Sequence, residues 1–216
     1  MGRQQTFDTT AVVQAARDLF WDHGYEATSL SDLEEATGLN RSSLYHAFGS
    51  KRGLFDAAAQ DYLDTVIRPR LAALVAVADV TPDAASAAQA PPAARRSQAV
   101  SALMEYFDSL ARAVAALPPG SSRQGCLLVN ATAGLAAHDD GARAVVEGYR
   151  IELTQALRGA LAVAGPTRTP EDLEADARVL ASLSVSAMVL ARINQGESVA
   201  LLTSAVAMVE RLTGEQ

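Results

Sequence analysis

Between Thr28 and Lys51 the chain sets side chains at helical spacing that can donate to nucleic-acid phosphates and base edges. Arg41 opens a short helix, and its planar fork matches guanine O6 and N7. One good bidentate pair of that kind contributes ~1–3 kcal/mol of base discrimination. Ser42 and Ser43 are small enough to let the backbone approach a groove, and each offers a hydroxyl to a base or a phosphate. Tyr45 has a hydroxyl for a phosphate and a ring to pack behind it. His46 can read a base edge or a phosphate. Lys51, the single lysine beside 17 arginines, stands at the start of the next helix. There its ammonium and the helix N–H groups can meet one phosphate together. Thr28, Ser29 and Ser31 form a second candidate clamp, although helix capping explains one of them without nucleic acid. Solvated side chains are the alternative for Arg41, His46 and Lys51, and a half-buried core ring is the alternative for Tyr45.

These groups need two short helices and a tight turn to hold them. Leu33, Ala36, Leu39, Leu44 and Phe48 form an apolar set interrupted at Gly38. Glycine suits the left-handed turn that stops one helix, and Asn40 has the chemistry to cap the next. Ser50 can cap a further helix beginning at Lys51. This pattern predicts a helix-turn-helix whose second helix enters the major groove of double-stranded DNA.

The rest of the chain also reads as helices. Asp8 caps a first helix to His23, with Val12, Ala16, Leu19 and Phe20 on one face. The second and third helices span Leu30 to Thr37 and Arg41 to Phe48. A fourth runs from Lys51 through Val66, with Pro69 ending or kinking it and a helical piece continuing to Ala78. The Pro/Ala/Ser-rich stretch 80–94 reads as a mobile loop. Further helices are expected over Arg95–Leu117, Cys126–Ala137, Ala142–Ala164, Pro170–Gln195 (stopped by Gly196) and Glu197–Leu212. No segment alternates like a strand. The fold class is therefore all-α, with about nine helices, an N-terminal helix-turn-helix domain over 1–56 and a larger helical domain over 57–216. Seven of the eleven aromatic residues lie in the first 55 positions, as a small module needs large rings to close its core.

Charge is distributed to match. The net charge is −7 and the isoelectric point about 4.9, which excludes a non-specific nucleic-acid coat. Yet Ala36 to Phe55 holds Arg41, Lys51 and Arg52 and no acid. One locally basic face on an acidic body directs DNA to that face alone. A single cysteine, Cys126, rules out an internal disulfide framework and fits a reducing cytoplasm. No apolar run is long enough to span a bilayer, so no membrane partner is expected.

The segment GYEATSLSDLEEATGLNRSSLYHAFGSKRGLF resembles the DNA-binding signature of TetR-type transcriptional regulators over residues 7–56. Its strongest elements are Gly24-Tyr25, Ala27-Thr28-Ser29, Asp32-Leu33, Gly38, Leu44-Tyr45 and Phe48-Gly49-Ser50-Lys51. A weaker likeness covers Gly125–Asp139. The resemblance implies a homodimer, a C-terminal ligand-binding and dimerisation domain, and repression at a palindromic operator relieved by a small molecule. The chain departs from the pattern at Ala47, where many members carry a phosphate-contacting ring. It departs also at Glu34-Glu35, which must face away from DNA, and at Gln4-Gln5 beside Arg3, which weakens minor-groove reading by the N-terminal arm.

Candidate ligand-binding residues are Tyr106, Cys126, Asn130, His138, Tyr149 and Met188, polar or soft groups on otherwise apolar helices that can orient a small apolar or amphipathic effector. Each is also consistent with a satisfied core or surface position. Cys126 carries a second reading, a redox or electrophile sensor, against a buried inert thiol. The last two helices carry stripes at Leu180, Leu183, Ala187, Leu190 and at Val199, Leu202, Val206, Val209, which suit a four-helix dimer interface or their own core. No nucleophile–base constellation, phosphate loop or metal-ligand cluster is present, so no enzyme, cofactor or metal is expected. A regulator that lacks an effector is the alternative within the DNA-binding class.

Overall fold

Asp8 starts the first helix, α1 (Thr9–His23), by accepting the N–H groups of Thr10 at 2.9 Å and Ala11 at 3.3 Å. The same chemistry recurs at α2 (Leu30–Thr37), α3 (Arg41–Phe48) and α4 (Lys51–Tyr62), capped by Ser29, Asn40 and Ser50. The computed structural model describes residues 7–79, 91–118, 121 and 123–214, and none of these is in a strand. The chain is all-α. Two compact units are distinguished, one of residues to Ile67 with Cys126–Val146, the other of Arg68–Gly125 with residues from Glu147. Arg3, Gln4 and Gln5 lie outside the described residues.

In the first unit α1 packs on α2 and α4. Val12, Ala16 and Phe20 of α1 meet Leu33, Leu44, Leu54, Phe55, Ala58 and Tyr62 in a closed core. Phe20 and Phe55 meet edge to face with centroids 5.3 Å apart, and Trp21 meets Tyr62 in the same way at 5.0 Å. Such pairs add to area burial by about 0.5–1.5 kcal/mol each. Arg17 ties α1 to the far end of α4 by an ion pair with Asp61 at 2.7 Å. Ala36, expected inside, is exposed. Leu33 and Thr37, four residues apart, share the inward face of α2 and leave Ala36 outside it.

Beyond α4 the backbone widens into a π-helical turn, Leu63–Ile67, before α5 (Arg68–Ala78). In a regular α-helix the Pro69 ring would clash with the carbonyl of Thr65 four residues back. The wider turn accommodates the proline without ending the helix. The expected single helix over Cys126–Ala137 is instead two short pieces, α7 (Leu127–Asn130) and α8 (Leu135–His138). Thr132 sits in the break, its hydroxyl donating to the Val129 carbonyl at 2.6 Å, and Gly134 carries the backbone round the corner. Asp140–Ala164 forms α9, whose first turns belong to the first unit and the remainder to the second.

The second unit is built on α6 (Pro92–Ala115), α10 (Pro170–Ala191) and α11 (Gln195–Thr213), with α6 packed on α5 and α11, and α10 on α11. Of the stretch expected as a mobile loop, 80–90 lies outside the described residues, and 92–94 are already helical. Proline is favourable at the first helical position, so α6 starts earlier than its apolar period implied. Leu103, Phe107, Leu153, Leu157, Leu161, Leu180 and Leu202 form the core. Gly196 does not stop α10. That helix ends at Ala191, and Gly196 sits in the first turn of α11, capped by Asn194. The Gln195 amide joins this corner to the end of α6 by donating to the carbonyls of Val114 at 2.6 Å and Leu117 at 2.9 Å. Among the described residues no helix is long and apolar enough to cross a membrane.

Candidate nucleic-acid interface

The turn between α2 and α3 is set by Gly38, at φ +68°, whose N–H closes α2 on the Glu34 carbonyl at 3.0 Å. Asn40 then caps α3 by accepting the Ser43 N–H at 2.9 Å. The Glu34 carboxylate accepts the Arg41 N–H as well. One of the two acids that threatened to oppose DNA is thus spent at the positive end of the α3 dipole, where a carboxylate is favourable. Glu35 is exposed.

On α3, Leu44 points inward and Phe48 is half-buried, which turns Arg41, Ser42, Tyr45 and His46 outward. These four form a continuous face, since residues three and four apart adjoin on a helix, as Arg41 and Ser42 do with Tyr45 and Ser42 with His46. The Arg41 guanidinium lies 5.4 Å from the centroid of the Tyr45 ring, a stacking that limits the wandering of both side chains. Ser43 is half-buried beside its cap. Ala47 is exposed and brings no donor.

Lys51 flanks this face from the first turn of α4. Its Nζ lies 4.3 Å from the centroid of Tyr25. Burial holds the ammonium pKa below the ordinary lysine value, with Glu26 and Asp32 pulling the other way. Tyr25 is itself wedged between Phe20 and Phe55, at 5.9 and 5.3 Å between centroids. The Tyr25 ring is therefore the platform for Lys51. The only signal for that role was an aromatic immediately after the α1 stop.

The clamp at the start of α2 is smaller than expected. Thr28 is 1 % exposed, and its hydroxyl donates to the Gly24 carbonyl at 2.7 Å. It closes the α1–α2 corner and has no surface to offer a phosphate. Ser29 and Ser31 are exposed. Ser29 and Asp32 make a reciprocal capping box, 3.1 Å from the Asp32 N–H to the Ser29 hydroxyl and 2.8 Å from the Ser29 N–H to the carboxylate.

A contact absent from the sequence reading adjoins Lys51. Arg52 makes a two-pronged bond to Asp139, 3.0 Å at each oxygen, and also pairs with Asp56. Asp139 caps α9 by accepting the Ala142 N–H at 2.7 Å. The first turn of α4 is thereby fastened to the α8–α9 corner within the first unit. The Arg52 bond, followed by the α9 cap, holds the Asp139 pKa below its ordinary value. A carboxylate with a depressed folded pKa contributes stability that is present above its unfolded pKa and lost as pH falls through the folded one. Asp139→Asn is therefore expected to flatten the acid loss of stability below the usual carboxylate range. Trp21 fluorescence in urea, followed from about pH 5 to pH 1, measures it.

The six ligand candidates divide between the two units. Tyr106, Tyr149 and Met188 are buried in the second unit, whereas Cys126, Asn130 and His138 lie in the first, with His138 exposed. Cavities of about 960, 610 and 450 Å³ are described in the second unit, and none of the six lines them. Cys126 is 2 % exposed, so a thiol reagent is expected to label it only after denaturation. Rapid labelling of the native protein would show a reactive sulfur instead.

The sequence profile described as "Bacterial regulatory proteins, tetR family" matches residues 12–58. The chain is 52% identical over 63 residues to the HTH-type transcriptional repressor ComR of Escherichia coli (strain K12), covering 29% of this chain and 30% of ComR. It is 40% identical over 60 residues to the HTH-type transcriptional repressor AcnR of Corynebacterium glutamicum, covering 28% and 32%. The match spans about a third of the length of these relatives. Among solved structures, a cysteine mutant of the TetR family transcriptional regulator CifR complexed with 26bp operator DNA is similar at TM-score 0.73 and 26% identity, covering 95% of this chain and 98% of that one. The reduced form of Escherichia coli NemR shares the fold at TM-score 0.71 and 20% identity, covering 94% of each chain.

Proposed function

Because this chain belongs to the TetR family of bacterial regulatory proteins through its N-terminal module, we propose that it is a dimeric transcriptional repressor that binds operator DNA through α3. The observation that carries this reading is the outward face of Arg41, Ser42, Tyr45 and His46, flanked by Lys51 on its Tyr25 platform. In this reading Arg41, the serines and His46 read base edges, while Tyr45, Lys51, Ser29 and Ser31 hold phosphates. The division follows from reach, since base contacts specify and phosphate contacts position.

One short module reads too few base pairs to act alone, so the chain works as a homodimer on a palindromic site. Half of the apolar stripe residues on α10 and α11 are committed inward, with Leu180, Ala187, Leu202 and Val209 fully buried and Leu183, Leu190, Val199 and Val206 half-buried. A different side of α10 is open, with Val179 at 46% exposure, Val189 at 45%, and Ile193 just beyond at 76%. This is the face for the partner copy. Val189→Asp is expected to shift sedimentation to the monomer and to abolish operator binding at the same protein concentration. A monomer in the unsubstituted protein would remove the reading.

The second unit is the ligand-binding and dimerisation part. A small apolar or amphipathic effector there would release the operator by binding better to the conformation whose two modules no longer match the half-site spacing. Differential affinity for the two conformations is required, since equal affinity shifts nothing.

A further inference from the structure

The second unit holds a groove of about 960 Å³ at the meeting of the first turns of α6 with the C-terminal ends of α9 and α11. Val100, Ala162, Val163 and Pro166 give it an apolar floor. Its charged side chains are of one sign, Arg95 and Arg96, beside the hydroxyls of Ser97, Ser101 and Thr213, and its described lining contains no carboxylate. In a chain of net charge −7 this is unusual. Other part-buried arginines here meet acids, Arg17 with Asp61, Arg52 with Asp139 and Arg168 with Asp176.

The two arginines differ in state. Arg96 is anchored, donating to the Thr213 carbonyl at 3.0 Å. Arg95 makes no hydrogen bond or ion pair among the described residues, and its Nε is buried without an acceptor. A buried donor left unsatisfied is costly, and a charged one more so. The start of α6 adds to the deficit of acceptors. Pro91 and Pro92 supply no side-chain cap, so the N–H groups of Ala93 and Ala94 have no partner within the helix. They carry the positive end of a 24-residue helix, and Ala93 itself lines the groove.

We propose that this groove binds an amphipathic organic carboxylate, with its head on the Arg95 fork and the α6 N-terminus and its aliphatic tail along the Val100–Val163 floor. The volume is that of a small-molecule site, and the planar fork of Arg95 fits a carboxylate with two parallel bonds. The tail needs only the apolar floor, which excludes no particular chain length. Binding stands independently of the repressor reading. Only an effector role for the ligand rests on it.

The test is isothermal titration calorimetry of the full chain with octanoate and, as the neutral counterpart, 1-octanol. Octanoate is expected to bind saturably, one per chain, and Arg95→Gln to weaken it by about 10- to 100-fold. Octanol is expected to bind far more weakly and to be indifferent to Arg95→Gln. Val163→Phe, which fills the floor, is expected to weaken octanoate without touching the charge, and it carries the test if Arg95→Gln does not fold. Absence of saturable octanoate binding overturns the proposal, as does octanoate affinity unchanged in either folded variant. Operator binding is measured separately. Octanoate binding that leaves DNA affinity unchanged keeps the site and removes its effector role, and failure to bind DNA leaves the calorimetric result untouched.

Discussion

Gly53→Ala is expected to destabilise the N-terminal module and to lower operator affinity by at least an order of magnitude. A Cβ at this position would lie 2.1 Å from the Phe48 carbonyl oxygen and 3.3 Å from its carbon. Both are backbone atoms at the last residue of α3, so no side chain can swing aside. Overpacking usually costs ~1–3 kcal/mol, and a rigid obstacle puts this case at the upper end. Alanine's better helix propensity returns ~1 kcal/mol at most. The sum remains unfavourable, and relief requires α3 to move away from α4. That movement displaces Arg41 and His46 relative to Lys51, so affinity falls even where the module stays folded. Gly148→Ala is the contrasting control. Nothing lies within 4 Å of a Cβ there, and the same substitution inside α9 is expected to be stabilising by about 0.5–1 kcal/mol. Urea unfolding followed by Trp21 fluorescence, with anisotropy of labelled operator DNA, reads both.

Arg41→Ala and Lys51→Ala are expected to fail in different ways. Arg41 is exposed at the first position of α3 and held against Tyr45. Its loss should reduce discrimination between operator and mismatched DNA by about 1–3 kcal/mol, with the salt dependence changed less. Lys51 is fixed over Tyr25 beside the α4 N-terminus, and in the proposed docking it holds a phosphate. Its loss should weaken all sequences alike and lower the slope of log affinity against log salt by about 0.9 per phosphate, or about 1.8 for a dimer. Titrations of matched and mismatched duplexes over a range of salt separate the two. A Lys51→Ala effect confined to the matched duplex would assign base reading to the wrong residue.

Local elements were legible wherever their causes were local. Ser29, Asn40 and Ser50 cap the helices they precede, and α2 and α3 have the bounds that Gly38 and the apolar spacing imply. Boundaries were missed where short-range signals compete. Thr132 and Gly134 interrupt an apolar run that reads as one helix, while Gly196 reads as a stop yet is tolerated in a first turn. Contacts between distant residues were out of reach. Arg52 and Asp139 are 87 positions apart, and nothing near either marks the other. Thr28 illustrates the limit for the candidate site. A threonine before a helix offers a hydroxyl to DNA or to its own corner, and only burial decides between them. The groove at Arg95 had no signal either, because two arginines after two prolines read as an ordinary solvated helix start.

The most direct test of α3 as a sequence reader is selection of binding sites from a random-sequence duplex pool. The expected result is an enriched inverted repeat, with half-sites centred about one helical turn or a multiple of it apart. Arg41→Ala should degrade that repeat at the same position in each half. A pool left unenriched by the native protein, or an identical repeat selected by Arg41→Ala, would contradict the account.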